Sequence, residues 1–111
     1  MLLLDLVDDQ QAIERYEAWH AAGALPPSIG FSIRAAGITS MEIYRIETRL
    51  VMVMETKKGF DPAAKAAADA ADPEVRAWEA LTATAQRPVP GAAPGEKWAP
   101  AKRIFALSDQ P

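Results

Sequence analysis

Ile38-Thr39-Ser40-Met41-Glu42-Ile43-Tyr44-Arg45-Ile46, then Glu47-Thr48, then Arg49-Leu50-Val51-Met52-Val53-Met54-Glu55, is the stretch whose reading decides the fold. Both runs are rich in Ile, Val, Tyr and Met, residues that suit a pleated, half-buried surface. The short spacer between them predicts an antiparallel hairpin. Met52 and Met54 alternate with Val51 and Val53, so this strand is expected to fill both sides of a sheet.

Working outward, Gly37 stops a short helix that Pro26-Pro27 opens and that Phe31, Arg34 and Ala35 continue. Leu2 to Val7 is an apolar run that predicts a strand, with Asp5 on one face of its alternation. It stops at Asp8-Asp9-Gln10-Gln11, where Asp8 and Gln11 have capping-box spacing and two acids suit a helix N-terminus. A helix is predicted from about Asp9 to Ala22, ended by Gly23, with Ile13, Tyr16 and His20 on one face. Downstream of the hairpin, Asp61-Pro62 pairs an N-cap with a first-turn proline, and an Ala-rich helix runs to Ala71. Asp72-Pro73 repeats the signal, so the helix breaks there and resumes through Val75, Trp78 and Leu81. Arg87 to Pro100 holds four prolines and two glycines and reads as a loop of functional or interface character. Arg103-Ile104-Phe105-Ala106-Leu107 is predicted as a closing strand.

The order β-α-β-β-α-β, with an extra short helix, predicts an α+β sandwich of the ferredoxin-like, split-βαβ type, formed as a single domain over residues 1–111. Helices cover one face of such a sheet. Of the 111 residues 23 are Ala, which leaves few large apolar side chains for the other face. A second copy of the chain is the economical cover, and a homodimer built through the sheet is expected.

Composition excludes whole classes of chemistry. No cysteine means no disulfide, thiolate nucleophile, zinc ribbon or iron–sulfur cluster, and a single histidine rules out a multi-histidine metal site. A net charge of −3 argues against a nucleic-acid partner. The opening Met1-Leu2-Leu3-Leu4-Asp5 is too short and too soon acidic for a signal peptide, and no apolar run suits a membrane span. No membrane partner and a cytoplasmic location are therefore expected. Glycine-rich phosphate loops, GxSxG elbows, HExxH and calcium-loop patterns are all missing.

His20 is the most informative residue, because histidine alone has an unperturbed pKa near neutrality. One helical turn after Tyr16, it shares that residue's face and sits near a helix C-terminus, where the dipole favours cations. It is either a proton donor to a ligand oxygen or a helix-end side chain satisfying the last carbonyls. Glu42 is a complementary base if its strand face looks toward His20, and a solvated strand residue if it looks outward. Trp78, with Val75 and Leu81 at helical spacing, reads as core or as a pocket wall. Trp98, in the Pro/Gly-rich loop, reads as pocket or subunit interface.

Tyr16-Glu17-Ala18-Trp19-His20 followed by a proline-containing turn resembles the Tyr-x-x-x-His-x(n)-Pro signature of the L-rhamnose mutarotase family. Gly37 to Tyr44, Leu50 to Glu55 and Trp98-x(5)-Ile104-Phe105-x-Leu107 follow the same pattern, so the resemblance spans nearly the whole chain. It implies a homodimeric ferredoxin-like enzyme, a dimeric α+β barrel, that interconverts sugar anomers without a cofactor. It also implies that His20 is the proton donor and that Tyr16 contacts the sugar. A family tyrosine corresponds to Met41, and two adjacent family tryptophans correspond to Ala77 and Trp78. Those departures point away from rhamnose, and the Met41-Glu42-Ile43-Tyr44 strand and the long Pro/Gly loop look more like the branch of this family associated with L-fucose. On this reading the substrate is a 6-deoxy-L-hexose, with His20 and Glu42 catalytic and Tyr16, Met41, Trp78 and Trp98 around the sugar. The rivals are a cofactor-free monooxygenase or isomerase of the same fold, and a non-catalytic ligand-binding module.

Overall fold

The computed structural model describes residues 1–111. The chain runs β1 (Leu2–Leu6), α1 (Gln10–His20), α2 (Pro27–Ala35), β2 (Ile38–Ile46), β3 (Arg49–Thr56), α3 (Pro62–Ala71), α4 (Pro73–Ala83), β4 (Gln86–Arg87) and β5 (Ala99–Pro100). The hairpin forms with Ile46 opposite Arg49, and Glu47 takes a left-handed φ of 51° to turn the chain. A left-handed residue with a side chain is strained, and here the long β2–β3 ladder outweighs that cost. The antiparallel sheet has the order β2-β3-β1-β4, with β5 also on β1, which is the ferredoxin-like order.

A bulge sets which side chains reach the helical side. Ile38 pairs with Thr56 but Ser40 with Glu55, so Thr39 is an extra residue in β2. Strand side chains alternate, so Ile38 and Met41 would otherwise point to opposite faces. The bulge resets the phase, and Ile38, Met41 and Ile43 all line the same cavity. Leu6 and Leu50 from the sheet, Ala12, Ile13 and Tyr16 from α1, and Ala85 form the main core.

Both Asp-Pro signals act as expected. Asp61 caps α3, and Asp72 ends α3 and caps α4 through Glu74 N–H. At α1, however, the cap is Asp9 rather than Asp8: its carboxylate accepts from Gln11 and Ala12 N–H. Asp8 is spent on the turn out of β1.

The expected strand at Arg103–Leu107 is not formed. The free edge of β1 is divided between β4, opposite Asp5 and Leu6, and β5, opposite Leu2 and Leu3. After Ala101 N–H donates to the Met1 carbonyl, the chain has passed the end of β1 and finds no further edge. Ile104 and Phe105 are left 91% and 64% exposed, and Leu107 begins a short 3-10 turn. The sheet face away from the helices is also bare, with Tyr44 and Ile46 exposed. On that face Asp5 is buried by the guanidinium of Arg49, which donates at 2.9 and 3.1 Å. No helix is long and apolar enough to cross a membrane.

Candidate active site

Between the helices and the concave side of the sheet lies a cavity of about 580 Å³. Met41 and Ile43 from β2, Met52 and Met54 from β3, Ile29 from α2 and Val75 from α4 give it an apolar floor. Tyr16, His20, Lys65, Asp69, Glu79, Thr82 and Gln86 supply polar groups around it, and Trp78 and Trp98 stand in its wall.

His20 is held at the last position of α1 by three contacts. Its Nδ1 lies 2.7 Å from the Tyr16 carbonyl. A carbonyl only accepts, so Nδ1 carries the proton and Nε2 is the nitrogen left for a ligand. The imidazole stacks on Tyr16 with ring centroids 4.4 Å apart and meets Trp78 at 5.2 Å. The helix-end role and the cavity position are thus compatible, because each engages a different nitrogen.

Tyr16 is 4% exposed, and its hydroxyl accepts from Gln86 Nε2 at 3.2 Å. Burial pushes its pKa above the ordinary value of 10.0, with the Gln86 hydrogen bond opposing in part. The phenol therefore stays protonated at neutral pH, and its O–H remains free to donate. Gln86 Oε1 is buried with no hydrogen-bond partner. An unpaired buried acceptor beside a cavity is costly unless a ligand donates to it.

The structure gathers five of the six residues singled out from the sequence: Tyr16, His20, Met41, Trp78 and Trp98 all line the cavity. Trp98 also packs against the main core of its own chain. Glu42 is not brought to His20. It alternates with Met41 and Ile43 and so points from the opposite face, where its negative charge raises the pKa of the Tyr44 phenol. No group of three or more His, Cys, Asp or Glu side chains that could hold a metal is present.

Gln86, Lys65 and Asp69 were not anticipated. Gln86 follows α4 in a two-residue strand with no periodicity to mark it. Lys65 and Asp69 did carry a signal, being the only charged residues of an Ala-rich helix and spaced to share one face.

Comparison with known proteins identifies the family. An L-rhamnose mutarotase family model matches residues 1–107. An L-fucose mutarotase of Xanthomonas campestris pv. campestris is 51% identical over 107 residues, covering 96% of this chain and 86% of that protein. A UPF0734 protein of Dictyostelium discoideum is 28% identical over 108 residues, covering 94% and 85%. With the family model matching nearly the whole chain and a relative 51% identical to it, the chain belongs to the L-rhamnose mutarotase family.

Proposed function

We propose that this chain is a cofactor-independent mutarotase that interconverts the α and β anomers of a 6-deoxy-L-hexose, L-fucose ahead of L-rhamnose, in cytoplasmic carbohydrate catabolism. The observation that carries the reading is His20, tethered through Nδ1 to the Tyr16 carbonyl and wedged between Tyr16 and Trp78 in the cavity wall. L-fucose is favoured by the 51% identity to a protein of that name.

Mutarotation opens a hemiacetal by protonating the ring oxygen and deprotonating the anomeric hydroxyl, then closes it on the other carbonyl face. Both oxygens are bonded to the same carbon, so one nitrogen held beside that carbon can serve both. His20 Nε2 accepts the anomeric proton and donates it to the ring oxygen, which releases the open-chain aldehyde; the reverse sequence re-forms either anomer. Tyr16 O–H and Gln86 Oε1 fix the sugar by one donor and one acceptor, and Met41, Trp78 and Trp98 receive its apolar surfaces. With Glu42 on the far face, His20 carries the proton transfer without it.

The polar lining supports a polyol over an aromatic or lactone substrate, since the buried Gln86 Oε1, which has no partner in the protein, would stay unsatisfied against an apolar molecule. The exposed Tyr44 and Ile46 on the bare sheet face, together with the exposed Ile104 and Phe105, support a homodimer of this one-domain chain through that face. Anomer exchange followed by saturation-transfer NMR tests the activity. Wild type accelerates L-fucose exchange, and His20→Ala falls to the uncatalysed rate. Exchange at the wild-type rate in His20→Ala would refute the assignment, and sugar binding without exchange in wild type would leave a binding module instead.

A further inference from the structure

A surface helix ordinarily turns its charges to water and its small apolar residues inward. α3 does the reverse. Its ten residues are Pro62, seven alanines, Lys65 and Asp69, and none of the alanines is buried. The two charged side chains are the shielded ones, 25% and 17% exposed, and they form an ion pair with each other. Both stand in the wall of the same cavity as His20 and Trp78, and they separate it from a smaller hollow between α2 and α3.

The fold makes little use of this pair. Lys65 Nζ bonds Asp69 Oδ2 within one helix, and neither side chain bonds another element. It therefore does not tether α3 to the body, and an ion pair internal to a helix adds little stability. Its polar capacity is largely unspent. Asp69 Oδ1 has no donor, and the Lys65 ammonium keeps two of its three N–H groups. One acceptor beside one strong donor matches neighbouring sugar hydroxyls, each of which gives one hydrogen bond and takes another.

We infer that the Lys65–Asp69 pair is the specificity-determining element of the cavity, reading a vicinal diol of the sugar remote from the reacting carbon. This rests on the mutarotase reading above. His20 on α1 claims C1 and the ring oxygen, so a pair presented from α3 meets the opposite edge of the pyranose, the hydroxyls at C3 and C4. C4 is one of the two carbons at which L-fucose and L-rhamnose differ in configuration, so the pair contributes directly to choosing between them.

The test compares wild type and Asp69→Ala on L-fucose and on its 3-deoxy and 4-deoxy analogues, by anomer exchange and by ligand-observed NMR titration. Alanine is the best helix former, so α3 keeps its form, and a thermal melt of the variant checks this. Asp69→Ala raises KM for L-fucose about tenfold or more, as expected when a half-buried charged acceptor is lost, and changes kcat by less than about threefold. Wild type shows a matching loss on the analogue lacking the contacted hydroxyl, and Asp69→Ala adds no further loss on that analogue. An unchanged KM, or an equal loss on all three sugars, overturns the inference. If wild type binds L-fucose but does not exchange it, the mutarotase reading fails. The titration then still decides the pair's role: weakened binding in Asp69→Ala supports it, and undiminished binding refutes it.

Discussion

Tyr16→Phe isolates one hydroxyl whose loss should be felt twice. The phenyl ring keeps the stack on His20 at 4.4 Å, so the site's shape is preserved. What disappears is the acceptor for Gln86 Nε2 at 3.2 Å, in a carboxamide whose Oε1 is already unpaired. A neutral hydrogen bond contributes about 0.5–1.5 kcal/mol net, and orphaning a buried donor costs about 1–3 kcal/mol. Gln86 is only partly buried, which places the loss at about 1–2 kcal/mol. At this chain length that is a fall in Tm of roughly 5–10 °C. Removing both partners should cost less than removing one, because no polar group is then stranded. Tyr16→Phe/Gln86→Leu is accordingly expected within about 0.5 kcal/mol of wild type, a coupling of about 1 kcal/mol. Urea denaturation of the wild type, both single variants and the double variant measures this directly. A Tyr16→Phe cost below about 0.3 kcal/mol, or a double variant equal to the sum of the singles, would refute the argument. Anomer exchange on the same proteins is expected to show a raised KM for L-fucose in both variants lacking the hydroxyl, whatever their stability.

The same burial predicts an alkaline limit. Tyr16's folded pKa lies above its unfolded value of 10.0, so the neutral phenol's contribution is fully present below pH 10.0 and is lost as pH rises through the folded pKa. Unfolding midpoints of wild type should decline faster above that pH than those of Tyr16→Phe; parallel profiles would contradict it. Tyr44 is raised by Glu42 instead, so Glu42→Gln should return its titration to the ordinary range while L-fucose exchange persists. Deleting residues 104–111, which bury little in this chain, should leave the fold intact and weaken self-association in sedimentation; an unaltered association constant would remove those residues from the interface.

Much of the architecture was legible because it is written in local chemistry. The Val/Met alternation with its two-residue spacer made the hairpin readable, and each Asp-Pro marked a helix start, since capping and proline φ act over a few residues. The terminal strand failed for a non-local reason. Arg103–Leu107 has strand-forming residues, but a strand also needs an edge, and β1 is only five residues long with both ends already taken. The Thr39 bulge was equally invisible, because an extra residue in a ladder is defined by its partner strand.

The site divides in the same way. The sequence by itself determined that Tyr16 and His20 share a helix face, that no thiol or histidine cluster is available, and that one imidazole is the only side chain whose ordinary pKa lies near neutrality, because helical spacing and composition are properties of the chain alone. Only the tertiary structure decided that Glu42 looks away, that Trp98 joins its own chain's cavity, and that Gln86, Lys65 and Asp69 are turned toward it. A strand residue has two faces, and which one is inside depends on where the helices settle. A charged pair in an alanine helix can face water or a cavity with the same local energy, and only packing against α4 turns it inward.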